Sequence, residues 1–326
     1  MPAESYDATH AEPEFSGGKR NNHRNKPPMT SSIKKVAVIG IGSMGKPIAR
    51  HILDAGFDVT VCDTNATNLR EFAALGAITT TQPSDCAKCD ATIVLVATAD
   101  QVRAVVLGED GLLKHVDAER QHHLAVMSTV SPQDMRMLGE ALAGTPLRIV
   151  DAPVSGGVVG ARKATLTVLT GGAEPDVAAL RPLFDAVGKK VLYCGLLGAG
   201  QTIKIINNII AISNLMISAE AFRIACAGGL TFDKFVPALE AGSGRNFMTR
   251  DPGDAPETYA AWSGSLDQYR AIQKISGKDI DLALSLCPPD VSLPAITALR
   301  ELIDGAGEET FTNWQVIAGK AQIQPG

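Results

Sequence analysis

The feature that most restricts this chain is a short apolar segment, Val36-Ala37-Val38-Ile39, that runs directly into Gly40-Ile41-Gly42-Ser43-Met44-Gly45. Glycines at that spacing carry meaning when a strand precedes them and a helix follows. Gly40 permits the tight turn, Gly42 lets the backbone approach a diphosphate, and Gly45 lets the helix pack closely on the strand. The helix is expected to open at Ser43 or Met44, with its first amides and the positive end of its dipole facing an anion. Gly40, Ile41, Gly42, Ser43, Met44 and Gly45 are therefore the candidate dinucleotide-binding turn.

Beyond the turn, strand and helix patterns alternate. Strands are expected at 36–39, 59–62, 92–96, 124–127, 148–151, 166–169 and 190–193, with helices such as 46–55, 68–75, 132–143 and 175–186 between them. Several strands are continuous apolar runs, as in a parallel sheet covered on both faces. The fold class is α/β: a doubly wound Rossmann-type sheet followed by an all-α C-terminal domain. A long apolar stretch from Gln201 to Cys226, without Pro or Gly, joins the two as an interdomain helix. Length supports this, since 326 residues suit two domains at ~150 residues each. The expected division is a disordered tail at 1–32 that contains a basic polar run from Lys19 to Lys26, a dinucleotide-binding domain at 33–197, and a helical substrate and dimerisation domain at 198–326. Breaks among the later helices are expected at 242–244, 251–256 and 287–289.

Composition excludes some partners. A net charge of -5 and 5% aromatic residues argue against nucleic acid, which needs a basic face or stacking platforms. The long helix carries Lys204, Asn207, Asn208, Glu220 and Arg223, so it is not expected to span a membrane. The first 32 residues hold no apolar signal region, and the six cysteines lie in apolar or helical stretches. Reduced thiols in a cytoplasmic setting follow. Cys86-Ala87-Lys88-Cys89 has a redox or half-zinc spacing but no second ligand pair, so a reduced, structural pair and no metal are expected.

The second strand ends at Asp63, 18 residues after Gly45. A carboxylate there accepts from ribose hydroxyls and repels a 2′-phosphate. Thr64 follows, and no arginine appears until Arg70, so NAD is favoured over NADP; the alternative is that Asp63 only caps a helix. All six histidines lie within the first 123 residues, with His122 and His123 expected to face solvent. Proton transfer in the second half must then fall to a lysine or a carboxylate. Lys204 stands near the start of the apolar helix with Asn207 and Asn208 at i+3 and i+4. Desolvation depresses an amine's pKa and suits it to acid–base work, although a lysine snorkelling from a helix end has the same pattern. Asp151-Ala152-Pro153-Val154-Ser155-Gly156-Gly157 ends a strand at the ligand-binding edge of such sheets. Its hydroxyl and bare amides suit a carboxylate, or the segment is a plain connecting loop. Lys278-Asp279 either covers the nicotinamide side or is a surface pair.

These segments, in this order, resemble the β-hydroxyacid dehydrogenase family, which includes 3-hydroxyisobutyrate dehydrogenase and tartronate semialdehyde reductase. The resemblance rests on Val38 to Gly45, Ser128-Thr129-Val130-Ser131-Pro132, Asp151 to Gly157 with Gly160-Ala161, Gly200 to Asn208, and Lys278-Asp279. It implies that Lys204 is the general acid/base and that Ser128, Ser155, Gly156, Gly157 and Asn208 hold a small 3-hydroxy acid. Asp63, Thr64, Val96, Ala97, Thr129 and Lys278 join the glycine turn in holding the cofactor. It also implies a homodimer or homotetramer. An NADPH-dependent semialdehyde or imine reductase of the same superfamily, and a non-catalytic dinucleotide-binding scaffold, are the competing readings. Three departures stand out: Val96-Ala97 where the family often has Leu-Pro, Ala164 in place of a frequent glycine, and a long segment from Asp251 to Gln268 that is expected, together with Gly242 to Arg250, to shape the substrate pocket.

Overall fold

Residues 36–39 alternate between two cores, which is why helices cover both faces of the sheet. Val36 and Val38 belong to one buried cluster and Ala37 and Ile39 to the other, as the two-residue period of a strand requires. The computed structural model describes residues 33–288 and 290–321; the tail expected at 1–32 lies outside them. In chain order, β1 (Lys35–Ile39), α1 (Gly45–Asp54), β2 (Asp58–Cys62), α2 (Ala66–Ala74), β3 (Ile78–Thr80), β4 (Ala91–Val94), α3 (Ala99–Leu107), β5 (His122–Val126), α4 (Pro132–Ala141) and β6 (Leu147–Asp151) form the first part. Its strands pair in parallel in the order β3-β2-β1-β4-β5-β6. This is the doubly wound arrangement.

The sheet then turns. β7 (Val154–Ser155), α5 (Gly157–Arg162), β8 (Leu166–Gly171), α6 (Glu174–Val187) and β9 (Gly188–Gly195) follow. β8 runs antiparallel to β6 and β7 and parallel to β9. Two strands were not foreseen. β3 has three residues and begins with the exposed Ile78, and β7 has two residues, so neither makes an apolar run. A second correction concerns His122, expected in solvent. It is buried as the first residue of the interior strand β5, and its Nε2 is 2.8 Å from the Thr92 hydroxyl. Burial pushes its pKa down to about 4.

The remaining elements are helices: α7 (Ala199–Ala227), α8 (Phe232–Ala241), α9 (Asp254–Trp262), α10 (Leu266–Ser285), α11 (Pro294–Gly305) and α12 (Glu308–Ile317). The break expected at 251–256 ends earlier, because Pro256 is tolerated in the first turn of α9, where no intrahelical amide is lost. A third cluster, including Ile212, Leu215, Phe222, Tyr259 and Trp314, fills the space between these helices. α7 is long and apolar enough to cross a membrane by length and composition, with a mean hydropathy of 1.5 over its most apolar window. One face of it is buried in that cluster, while Ile206, Ile210, Ile217 and Ile224 form an exposed row.

Asp151 fixes where α7 starts. This buried carboxylate accepts the amide of Gly198 at 2.7 Å through Oδ1 and that of Gln201 at 2.8 Å through Oδ2. A carboxylate at a helix N-terminus satisfies orphan amides and matches the dipole. Burial nevertheless raises its pKa against those two bonds. A Cβ at position 200 would run into the Leu169 carbonyl and the Asp151 carboxylate, so only glycine fits there. Gln201 then donates to the Ser128 carbonyl at 2.8 Å and accepts from the Val130 amide at 3.2 Å, tying α7 to the end of β5.

Candidate active site

The glycine turn has the shape a diphosphate needs. Gly40 has φ +95°, and a Cβ there would stand 2.5 Å from the Leu95 carbonyl oxygen and 3.2 Å from the Val96 amide. The turn thus lies against the Val96-Ala97 loop, whose Ala97 amide is held by Gln101 at 2.9 Å. A Cβ at Gly45 would strike the Gly40 carbonyl, so the start of α1 lies tight on the turn. A Cβ at Gly42 would meet nothing within 4 Å. Among the described residues the amides of Gly42, Ser43 and Met44 have no hydrogen-bond partner. Open space above unpaired amides at a helix head fits a dinucleotide diphosphate. Helix α1 opens at Gly45, one residue later than expected, with Met44 before it.

Asp63 stands at the rim of the turn. Its Oδ2 accepts the Ile41 amide and its Oδ1 the Asn65 amide, both at 2.7 Å. The carboxylate therefore holds the turn in shape as well as bringing negative charge to it, and Thr64 beside it is exposed.

The second cluster joins three elements. Lys204 sits in the second turn of α7, half-buried, with no hydrogen bond or ion pair among the described residues. Its pKa is pushed down to about 8 by burial, against the Asp279 carboxylate, which favours the ammonium, and with help from the charge of Lys278. Asn207 donates to the Ser155 hydroxyl at 3.1 Å, leaving that hydroxyl's own proton free to be donated. Asn208 donates to Oδ2 of Asp279 at 2.6 Å. Asp279 is 3% exposed, and its Oδ1 lies 3.0 Å from the Lys278 ammonium without hydrogen-bond geometry. Lys278 instead donates to the Thr129 carbonyl at 2.8 Å.

The structure thus joins Thr129, Ser155, Asn207, Asn208, Lys278 and Asp279 in one network, with the Lys204 amine, unpaired among the described residues, within the field of Asp279 and Lys278. Asp279, expected with Lys278 either on the nicotinamide side or as a surface pair, is buried and bonds Asn208, a partner that its position beside a lysine did not declare. Ser128 differs from expectation. It is buried, its hydroxyl faces the Val94 carbonyl at 3.4 Å, and its main-chain carbonyl faces α7. The close exit of β5, where the Ser128 amide also bonds Val94, turns the side chain back toward the sheet. Gly156 and Gly157 have φ of +127° and +60°, a backbone that favours glycine.

The family model for the NAD binding domain of 6-phosphogluconate dehydrogenase matches residues 35–195. The model for NAD-binding of NADP-dependent 3-hydroxyisobutyrate dehydrogenase matches residues 198–316. An NAD-dependent L-serine dehydrogenase of Pseudomonas aeruginosa is 32% identical over 307 residues, 90% of this chain and 100% of that one. The 3-hydroxyisobutyrate dehydrogenase of the same organism is 33% identical over 261 residues, 77% of this chain and 84% of that one. The solved structure of Mycobacterium tuberculosis 3-hydroxyisobutyrate dehydrogenase with L-serine has a TM-score of 0.69 at 25% identity, covering 83% of this chain and 93% of that chain. With both halves matched and relatives of this identity along most of their length, the chain belongs to the β-hydroxyacid dehydrogenase family and is an oxidoreductase with an NAD(P)-binding domain.

Proposed function

We propose that this chain oxidises the hydroxyl of a small 3-hydroxy acid, or reduces the matching semialdehyde, with NAD as its cofactor and Lys204 as the proton-transfer group. The observation that carries this reading is the amine of Lys204, without a partner among the described residues and with its pKa pushed down to about 8. An amine poised near the working pH takes a hydroxyl proton in one direction and returns it in the other. Ser155, with a free hydroxyl proton, and the Gly156-Gly157 backbone would hold a carboxylate. Asn208 spends one amide proton on Asp279 and keeps the other for substrate. Thr129 and Lys278 close the side toward the cofactor. A bound nicotinamide supplies the hydride acceptor or donor.

NAD is favoured because Asp63 puts a carboxylate at the rim of the turn, where a 2′-phosphate would be repelled. The two Pseudomonas relatives, an L-serine and a 3-hydroxyisobutyrate dehydrogenase, support a 3-hydroxy acid, since both compounds carry a hydroxyl on the β-carbon of the acid. The exposed isoleucine row of α7 supports a homo-oligomer buried along that helix.

The test is a panel of 3-hydroxy and 2-hydroxy acids assayed with NAD and with NADP by absorbance of the reduced cofactor. Turnover of 3-hydroxy acids with NAD is the expected result. Turnover confined to 2-hydroxy acids, or to NADP, would overturn the reading.

A further inference from the structure

The segment Asp251 to Gln268 delivers an indole to the loop that contains Gly156 and Gly157. A Cβ at Gly157 would stand 3.3 Å from Cζ2, 3.9 Å from Cε2 and 4.0 Å from Nε1 of Trp262. The ring edge that carries the N–H is therefore the edge turned to the loop. Trp262 is half-buried, and among the described residues its Nε1 has no hydrogen-bond partner. Trp314, the second tryptophan of the chain, lies in the core of the helical half.

The end of α9 that holds Trp262 is anchored. Tyr259, fully buried one turn earlier, donates to the Leu215 carbonyl of α7 at 2.6 Å. Ser263, also fully buried, donates to the Tyr259 carbonyl at 2.7 Å and receives the amide of Gln315 at its own carbonyl. Lys163 at the far end of α5 pairs with Glu257 at 2.7 Å. A ring on so fixed a base is positioned, and an unpaired N–H beside a carboxylate-binding loop has an evident acceptor.

We infer that Trp262 completes the carboxylate end of the site, its Nε1–H donating to one carboxylate oxygen of the substrate while its ring closes the pocket over Gly157. This rests on the carboxylate role proposed for Ser155 and Gly157.

The experiment compares the parent protein with Trp262→Phe, which keeps an aromatic wall and removes the donor. 3-Hydroxyisobutyrate, L-serine and malonate, and the methyl ester of 3-hydroxyisobutyrate, are titrated calorimetrically into the NADH complex, where no acid is oxidised. Hydrogen bonds to charged groups predict that the acids bind about tenfold more weakly to the variant, while the ester binds both proteins alike and NADH affinity is unchanged. In turnover, KM for the acid rises by the same factor and kcat stays within about twofold. Equal acid affinity in the two proteins, equal loss for acid and ester, or no binding of any acid to the parent would overturn the inference. A failure of the proposed reaction shows separately, as acid binding without turnover.

Discussion

Asn208 donates its side-chain amide to Oδ2 of Asp279 at 2.6 Å, across 71 residues of chain. That bond joins α7 to α10 and sets a buried carboxylate near Lys204, where it opposes the desolvation of the amine. Two helices are thereby fixed at the spacing that sets the charge around the Lys204 amine.

The first prediction concerns that carboxylate. Lys204 with a pKa of about 8 makes kcat/KM for oxidation rise with pH and level off above about 8, as the ammonium loses its proton, while reduction falls through the same range. Asp279→Asn keeps an acceptor for Asn208 but removes the charge that favours the ammonium. The Lys204 pKa then falls further, and both limbs move to lower pH. Profiles of kcat/KM against pH for the two proteins check this; superimposable profiles would show that Asp279 does not act on Lys204.

The second prediction concerns the joint between sheet and helices. Asp151→Asn turns an NH2 group toward one of the two backbone donors, Gly198 or Gln201, and leaves it unpaired in a buried setting. An unsatisfied buried group of this kind costs about 2 to 3 kcal/mol. A urea titration should show a lower midpoint with an unchanged slope. A midpoint equal to the parent's would mean that water or a rearranged loop takes up the orphaned amide.

The parts of the molecule that were legible in the sequence are those set by local constraint. The turn at Gly40 to Gly45 is written in three positions where a Cβ is forbidden or the space above is open. The helical period of 3.6 residues puts Lys204, Asn207 and Asn208 on one helix together. What was hidden depends on tertiary partners. β3 and β7 are short because they are completed by neighbours rather than by their own apolar residues. His122 is buried because strands flank β5 on both sides, which no feature of His122-His123 declares. The Ser128 hydroxyl faces the sheet through a main-chain bond to Val94, and Trp262 reaches Gly157 only because α9 packs beside α5.

Ala164 gives the third prediction. It is the one non-glycine residue with positive φ among the described residues, at +52°. The left-handed region costs an alanine about 1 to 2 kcal/mol, and glycine's extra freedom in the unfolded chain returns about 0.4 to 1 kcal/mol of that. Ala164→Gly should therefore stabilise the protein by up to about 1.6 kcal/mol. Calorimetric unfolding should show a small rise in Tm, and a fall would mean that packing of the Ala164 methyl outweighs the backbone cost.

In the proposed reaction the amine of Lys204 moves the proton. The most direct test is single-turnover oxidation of a 3-hydroxy acid by Lys204→Ala with saturating NAD, alongside the affinity of the variant for NADH. Removing a general acid–base group lowers the rate about 10²- to 10⁴-fold, and NADH affinity should stay within about threefold because the glycine turn is untouched. A variant that turns over at a rate near the parent's, with NADH bound equally well, would rule out Lys204 as the proton carrier.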